Sequence, residues 1–129
     1  MKKLNKKILI IEDEPSLRMS LRDTFIAEGL SVLVASNGID GLELALREKP
    51  DIILLDILMP GMDGQMVLKK LRESAQGKNT PVIVLTVLSV DDPIVHWITT
   101  YEPTYYLIKS DWRVEQIVEK VKERLSLPF

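Results

Sequence analysis

Glu12, Asp13, Asp56, Thr86 and Lys109 each stand directly after a short apolar run or one residue beyond it. In an open α/β sheet, ligands bind beyond the C-terminal ends of the strands, so this spacing gathers the five groups at one edge. Three carboxylates brought together there repel one another if left alone. A hard divalent cation resolves the conflict, because Mg2+ takes oxygen ligands from one or two carboxylates together with waters and phosphate. The Thr86 hydroxyl can donate a hydrogen bond to a phosphoryl oxygen, and the Lys109 ammonium brings a compact positive charge to the same group. Phosphoryl transfer asks mainly for such positioning and charge stabilisation. The set points to a phosphate-and-metal site.

The elements that must hold these groups are visible in the hydropathy pattern. Apolar runs at residues 8–11, 32–35, 52–55, 82–85 and 105–108 are continuous, without in–out alternation. That suits strands buried on both faces of a helix-covered parallel sheet. Between them, Leu17, Leu21 and Phe25 share one helical face, as do Leu42, Ala45 and Leu46, and then Val67, Leu68 and Leu71. The last helix is the clearest, with Val114, Ile117, Val118, Val121 and Leu125 in one stripe opposite Arg113, Glu119, Lys120, Glu123 and Arg124. Gly29 and Gly77 sit where helix C-termini favour a left-handed residue. Pro15 and Pro93 lie near helix starts, and Asn37-Gly38 and Pro50-Asp51 mark turns. A β-α unit repeated five times implies right-handed crossovers and a doubly wound sheet.

The bulk properties narrow the function classes. A chain of 129 residues, 46% hydrophobic and 28% charged, suits one compact domain with an ordinary core. Its formal net charge of −2 and the absence of a recurring basic stripe leave no electrostatic footprint for nucleic acid. Without cysteine there is neither a disulfide framework nor a thiolate metal site, which fits a reducing compartment. No apolar run approaches the ~20 residues that span a bilayer. Lys2, Lys3, Lys6 and Lys7 precede an apolar stretch that stops at Glu12, shorter than the about 7–15 residues of a signal peptide.

The segments Ile10-Ile11-Glu12-Asp13-Glu14-Pro15, Asp51-Ile52-Ile53-Leu54-Leu55-Asp56-Ile57-Leu58-Met59-Pro60-Gly61-Met62-Asp63-Gly64, Leu85-Thr86 and Tyr106-Leu107-Ile108-Lys109 together resemble the receiver domain of two-component response regulators. The central segment is the most specific, since acceptor, turn proline and helix-opening glycine are all present. The similarity spans about residues 7–125, and the chain resembles the single-domain, chemotaxis-regulator-like type. It implies one receiver domain over residues 1–129, no output domain, and a flavodoxin-like (βα)5 three-layer sandwich with strand order 2-1-3-4-5. It further implies that Asp56 is the phosphoacceptor, forming an acyl phosphate. Glu12 and Asp13 would hold Mg2+ (or Mn2+), Asp13 directly and Glu12 through water, with Asp56 and the backbone carbonyl of Leu58 as further ligands. Thr86 would move inward to the phosphoryl oxygen, Lys109 would pair with it, and Tyr106 would turn from exposed to buried as Thr86 moves. The resemblance implies a cytoplasmic signalling protein that catalyses only its own phosphorylation and dephosphorylation. Its donor would be a histidine kinase or histidine phosphotransfer protein. Its output would be a protein partner on the face of the fourth helix, fifth strand and fifth helix, with no direct nucleic acid or membrane contact.

Several residues also have plainer readings. Asp13 could serve as a helix N-cap, Asp56 as a turn residue, and Lys109 as a solvated lysine; their joint occurrence at successive strand ends favours the site. Asp63 is better read as the N-cap of the third helix than as a metal ligand. His96 is assigned no role, and Trp112 is expected to pack at the start of the last helix. Trp97 is either core or part of a partner surface. The chain departs from the family pattern at Val87, where a small residue is usual, and at Ser110, where proline is usual. Val87 should narrow access to the acyl phosphate and lengthen its life. Before Ser110 a trans peptide or altered loop is expected, since a cis bond there costs about 2.5–4 kcal/mol. The stretch 90–104, with Pro93, Glu102 and Pro103, lacks the usual approach to the fifth strand, so the family's output surface is least predictable there.

Three alternatives come from other classes. A flavodoxin-like FMN carrier needs a phosphate-cradling loop after the first strand, where this chain has Glu12-Asp13-Glu14. A haloacid-dehalogenase-type phosphatase carries a second aspartate two positions after the nucleophile, where this chain has Leu58. A degenerate receiver that only binds partners, independently of phosphorylation, is the nearest rival.

Overall fold

Among the described residues, the elements in chain order are β1 (Lys7–Ile11), α1 (Pro15–Ala27), β2 (Ser31–Ala35), α2 (Gly38–Glu48), β3 (Ile52–Asp56), α3 (Gly64–Arg72), β4 (Val82–Thr86), β5 (Tyr105–Ile108) and α4 (Val114–Arg124), with a 3-10 turn at Lys109–Asp111. These elements come from a computed structural model that describes residues 5–88, 92–94, 96, 100–101 and 103–127. The strands form one parallel sheet in the order β2-β1-β3-β4-β5, the doubly wound arrangement expected from the sequence.

The continuous apolar runs are explained by the pleat, which sends successive side chains to opposite faces. Leu9, Ile11, Ile53, Leu55, Val82 and Val84 pack on one side with Ala45 of α2 and Val67, Leu68 and Leu71 of α3. Ile8, Ile10, Ile52, Leu54, Ile83, Leu85 and Leu107 pack on the other with Leu21 and Phe25 of α1 and Ile117, Val118 and Val121 of α4. Both faces are covered, so neither parity can be polar. Every residue of β3 and β4 and all but the first of β1 are buried, the polar exceptions being Asp56 and Thr86 at the strand ends, whereas β2 and β5 are only partly buried. Burial on both faces therefore fails at the edges, because an edge strand has a neighbour on one side only.

Gly29 follows α1 with φ +95°, as a helix terminator should. Gly77 is not left-handed. A Cβ there would lie 2.2 Å from Leu71 Cδ1 and 2.8 Å from the Leu71 carbonyl oxygen, so the glycine answers a close approach. Asn37-Gly38 is a helix start rather than a free turn, with the Asn37 side chain accepting the Asp40 N–H at 2.8 Å. Trp112 packs against the α1–α4 side of the sheet as expected. Lys122 of α4 is buried and pairs with Glu28 at the end of α1, a link between the two helices that the apolar stripe does not reveal. Val90, Trp97 and Glu102 lie outside the described residues. No helix among the described residues is long and apolar enough to cross a membrane.

Candidate functional site

Four adjacent strands, β1, β3, β4 and β5, end near the same level. The β1–β2 ladder runs one bond past Ile11, with the Glu12 N–H donating to the Ala35 carbonyl at 3.0 Å. Asp56 closes β3 opposite Leu85, and Thr86 closes β4 opposite Ile108, which places Lys109 next in line. Pairing between parallel neighbours thus brings Glu12, Asp56, Thr86 and Lys109 to one edge although up to 97 positions separate them in sequence (109 − 12). The return of the chain after β3 is equally tight. Gly64 opens α3 with its N–H on the Ile57 carbonyl at 3.0 Å, and a Cβ there would lie 2.1 Å from the Asp56 carbonyl oxygen. Only glycine lets α3 approach the acceptor strand this closely.

Asp56 is 3% exposed and Glu12 2% exposed. One carboxylate oxygen from each of Glu12, Asp13 and Asp56 lies within 4.8 Å of the others. Lys109 Nζ stands 2.7 Å from Glu12 Oε1 and 3.5 Å from Asp56 Oδ2. Glu12 Oε1 is buried without an aligned hydrogen-bond donor, the ion pair with Lys109 being its compensation. Burial, and after it the charge of Glu12, push the Asp56 carboxyl up to about 8 against the opposing pull of Lys109. Burial pulls the Lys109 ammonium down, but its contact with Glu12 and the charge of Asp56 outweigh that, and it ends above its ordinary value. Without a further cation the cleft therefore carries more negative charge than one lysine offsets. A hard dication with oxygen ligands at about 2.0–2.1 Å suits this cluster, through direct contacts and bound water, and would displace the proton from Asp56.

Beside the carboxylates, Thr86 is fully buried and its hydroxyl oxygen accepts the Leu88 N–H at 3.3 Å. The Tyr106 hydroxyl donates to the Leu88 carbonyl at 3.0 Å. One backbone residue is thus held by both side chains. Burial and then the nearby Asp92 charge raise the Tyr106 phenol above its ordinary value. Leu58 and Val87 stand 45% and 62% exposed on the segments following Asp56 and Thr86, an apolar margin to the cleft. The Leu58 N–H donates to Asp56 Oδ1 at 3.3 Å.

The model of the response regulator receiver domain matches residues 8–122 of the chain. The chain belongs to the response regulator receiver family. This makes it a signalling domain rather than an enzyme acting on a separate substrate. The receiver is 33% identical over 124 residues to the sporulation initiation phosphotransferase F of Bacillus subtilis (strain 168), covering 96% of this chain and 97% of that one. It is 34% identical over 127 residues to the transcriptional activator protein PfeR of Pseudomonas aeruginosa, covering 94% of this chain but 41% of the longer protein. Its fold matches that of a CheY-like receiver domain protein from Methanospirillum hungatei JF-1 with a TM-score of 0.85 at 25% identity, over 94% of each chain. The acidic cluster of Glu12, Asp13 and Asp56 is consistent with the Mg2+-binding phosphoacceptor site of this family.

Sequence reasoning named the groups in the cleft but not everything that holds them. Glu14, not Asp13, caps α1, its carboxylate accepting the Leu17 N–H at 3.2 Å, which leaves Asp13 free of that role. Asp63 caps α3 as read, accepting the Met66 N–H at 3.0 Å. The peptides around Ser110 are trans. His96 is exposed. Arg18, which donates to the carbonyls of Glu12 and Asp13, and the Leu88 backbone were missed. No residue-type signal separates such an arginine from a solvated one, and a backbone partner carries no signal at all.

Proposed function

We propose that Asp56 takes a phosphoryl group from the phosphohistidine of a kinase or phosphotransfer protein, and that the modified receiver then changes its protein partner. An Asp56 carboxylate oxygen forms the bond to phosphorus as the phosphorus–nitrogen bond of the donor breaks, and the leaving imidazole takes up a proton. Glu12, Asp13, Asp56 and the Leu58 carbonyl would hold Mg2+, which supplies positive charge to the phosphoryl oxygens. Lys109 supplies a second positive charge from the β5 side, and the Leu58 N–H orients the acceptor carboxylate. The observation that carries this reading is the convergence of a buried acceptor, two further carboxylates and Lys109 in one cleft. The near full-length similarity to a sporulation phosphotransferase supports it.

The signal would leave through Thr86 and Tyr106. Phosphorylation adds up to about two negative charges, to which the Thr86 hydroxyl turns and thereby releases the Leu88 N–H. Tyr106 holds the same backbone and moves with it. Shifting a two-state equilibrium from about 1:99 to 99:1 requires roughly 5.5 kcal/mol, which two or three charge-assisted hydrogen bonds at ~1.5–3 kcal/mol each supply. The reading face would include β5 and α4.

Incubation with a small phosphodonor and Mg2+, followed by intact mass measurement, tests the proposal. The wild type should gain one phosphoryl group and Asp56→Ala none. An unmodified wild type would instead favour a receiver that binds partners independently of phosphorylation.

A further inference from the structure

The loop joining β1 to α1 is residues 12–14, and all of them are acidic. The Glu12 and Asp13 carboxylates converge on the cleft while Glu14 caps α1, and the loop backbone must stay in place against their mutual repulsion. Two anchors use the loop's own N–H groups: that of Glu12 continues the ladder to Ala35 of β2, and that of Glu14 donates to Glu12 Oε2 at 3.1 Å. The third comes from α1. Arg18 Nη1 donates to the Glu12 carbonyl at 3.0 Å and to the Asp13 carbonyl at 3.3 Å. Among the described residues Arg18 is the protein donor to the Asp13 carbonyl, and it forms no ion pair, although Asp40 and Glu43 line the same surface cleft. Its guanidinium is directed at loop backbone, not at a carboxylate.

Resting on the reading of Glu12, Asp13 and Asp56 as a cation site, we infer that Arg18 is a positioning residue for that site. By clamping two consecutive carbonyls it holds the Asp13 peptide in the orientation from which the Asp13 carboxylate faces the cleft, without neutralising that carboxylate. Partners that orient metal ligands from behind typically change metal affinity 10–100-fold when removed.

The charge of Arg18 gives the inference a sign that can be tested. A cation near a dication site opposes binding by Coulomb repulsion, so loss of the charge alone would tighten Mg2+ binding. Loss of positioning would weaken it. Arg18→Met keeps the apolar stem and removes both charge and donors, while Arg18→Lys keeps the charge with a different donor geometry.

The test is the rise of the thermal unfolding midpoint with Mg2+ concentration for the wild-type chain and both variants, alongside the Mg2+ dependence of phosphorylation by a small phosphodonor. Arg18→Met should need roughly tenfold more Mg2+ for the same midpoint rise and for half-maximal phosphorylation. Its maximal rate at saturating Mg2+ should stay within about twofold of wild type, as expected for a pure affinity effect. Arg18→Lys should fall between the two, and supplies the comparison if Arg18→Met does not fold. A wild type that responds to Mg2+ while the variants respond at the same or lower concentration overturns the role of Arg18 alone. A wild type whose midpoint ignores Mg2+ overturns the cation-site reading, and the role of Arg18 with it.

Discussion

Lys109 Nζ lies closer to Glu12 than to Asp56, at 2.7 Å against 3.5 Å. In this state the lysine chiefly compensates a buried Glu12 oxygen that has no aligned donor, and it remains within reach of the acceptor. Lys109→Met should leave two buried carboxylates without their cation. A charge-assisted contact of ~1.5–3 kcal/mol corresponds to a phosphorylation rate lower by roughly 10–100-fold, read from a mass time course at fixed Mg2+ and phosphodonor. A rate within twofold of wild type would remove Lys109 from the reaction.

The raised Asp56 carboxyl sets a pH dependence. Its folded value of about 8 lies above the ordinary 3.8, so between these values the folded chain binds more proton than the unfolded chain. The stabilisation from that proton is complete below about pH 4 and is lost as pH rises through about 8. Without Mg2+, Asp56→Asn should therefore unfold at a higher temperature than wild type at pH 8, by about 5 °C or more, with the difference shrinking toward pH 5. Saturating Mg2+ should reduce it at pH 8. Equal slopes of midpoint against pH for the two proteins would show that Asp56 does not titrate in this way.

Tyr106→Phe removes the hydroxyl that donates to Leu88 and keeps the ring. A loss of about 1 kcal/mol in urea unfolding is expected, with phosphorylation of Asp56 proceeding at the wild-type rate. Faster amide exchange in the segment after β4, without slower phosphorylation, would locate Tyr106 in signal output; a slower phosphorylation rate would place it in the chemistry instead.

Gly64→Ala drives a Cβ into the Asp56 carbonyl oxygen, 2.1 Å away in the undistorted backbone. Relief requires α3 or the end of β3 to shift, at about 1–3 kcal/mol. Because the clash is with the backbone of the acceptor Asp56 itself, phosphorylation should fall together with stability. Gly61→Ala is the comparison: its Cβ meets nothing within 4 Å, so the φ of +76° alone is strained there, and phosphorylation should be retained.

Val87 is 62% exposed on the segment after Thr86, so Val87→Ala should leave stability within ~0.5 kcal/mol. Opening the margin of the cleft to water should shorten the life of the acyl phosphate several-fold, measured as phosphate release after removal of the donor. An unchanged release rate would show that the branched side chain does not shield the site.

The sequence alone determined the strand runs, the helical faces and the residue types at each strand end, because burial on both faces of a parallel sheet leaves a continuous apolar signature that stops where polar chemistry begins. That was enough to identify Glu12, Asp13, Asp56, Thr86 and Lys109 as one set and to anticipate the observed strand order through family resemblance. Only the tertiary structure decided how that set is held. Glu14 rather than Asp13 caps α1, Gly77 and Gly64 relieve close approaches, and Lys122 is buried against Glu28. Arg18 reaches back to the Glu12 and Asp13 carbonyls, and Thr86 and Tyr106 meet at the backbone of Leu88. Each of these depends on distances between chain segments or on backbone atoms that every residue shares, so residue type and period, even where they mark a glycine, do not reveal the partner. Chemistry at the strand ends is written in side-chain identity, whereas its positioning arises from packing once the helices settle on the sheet.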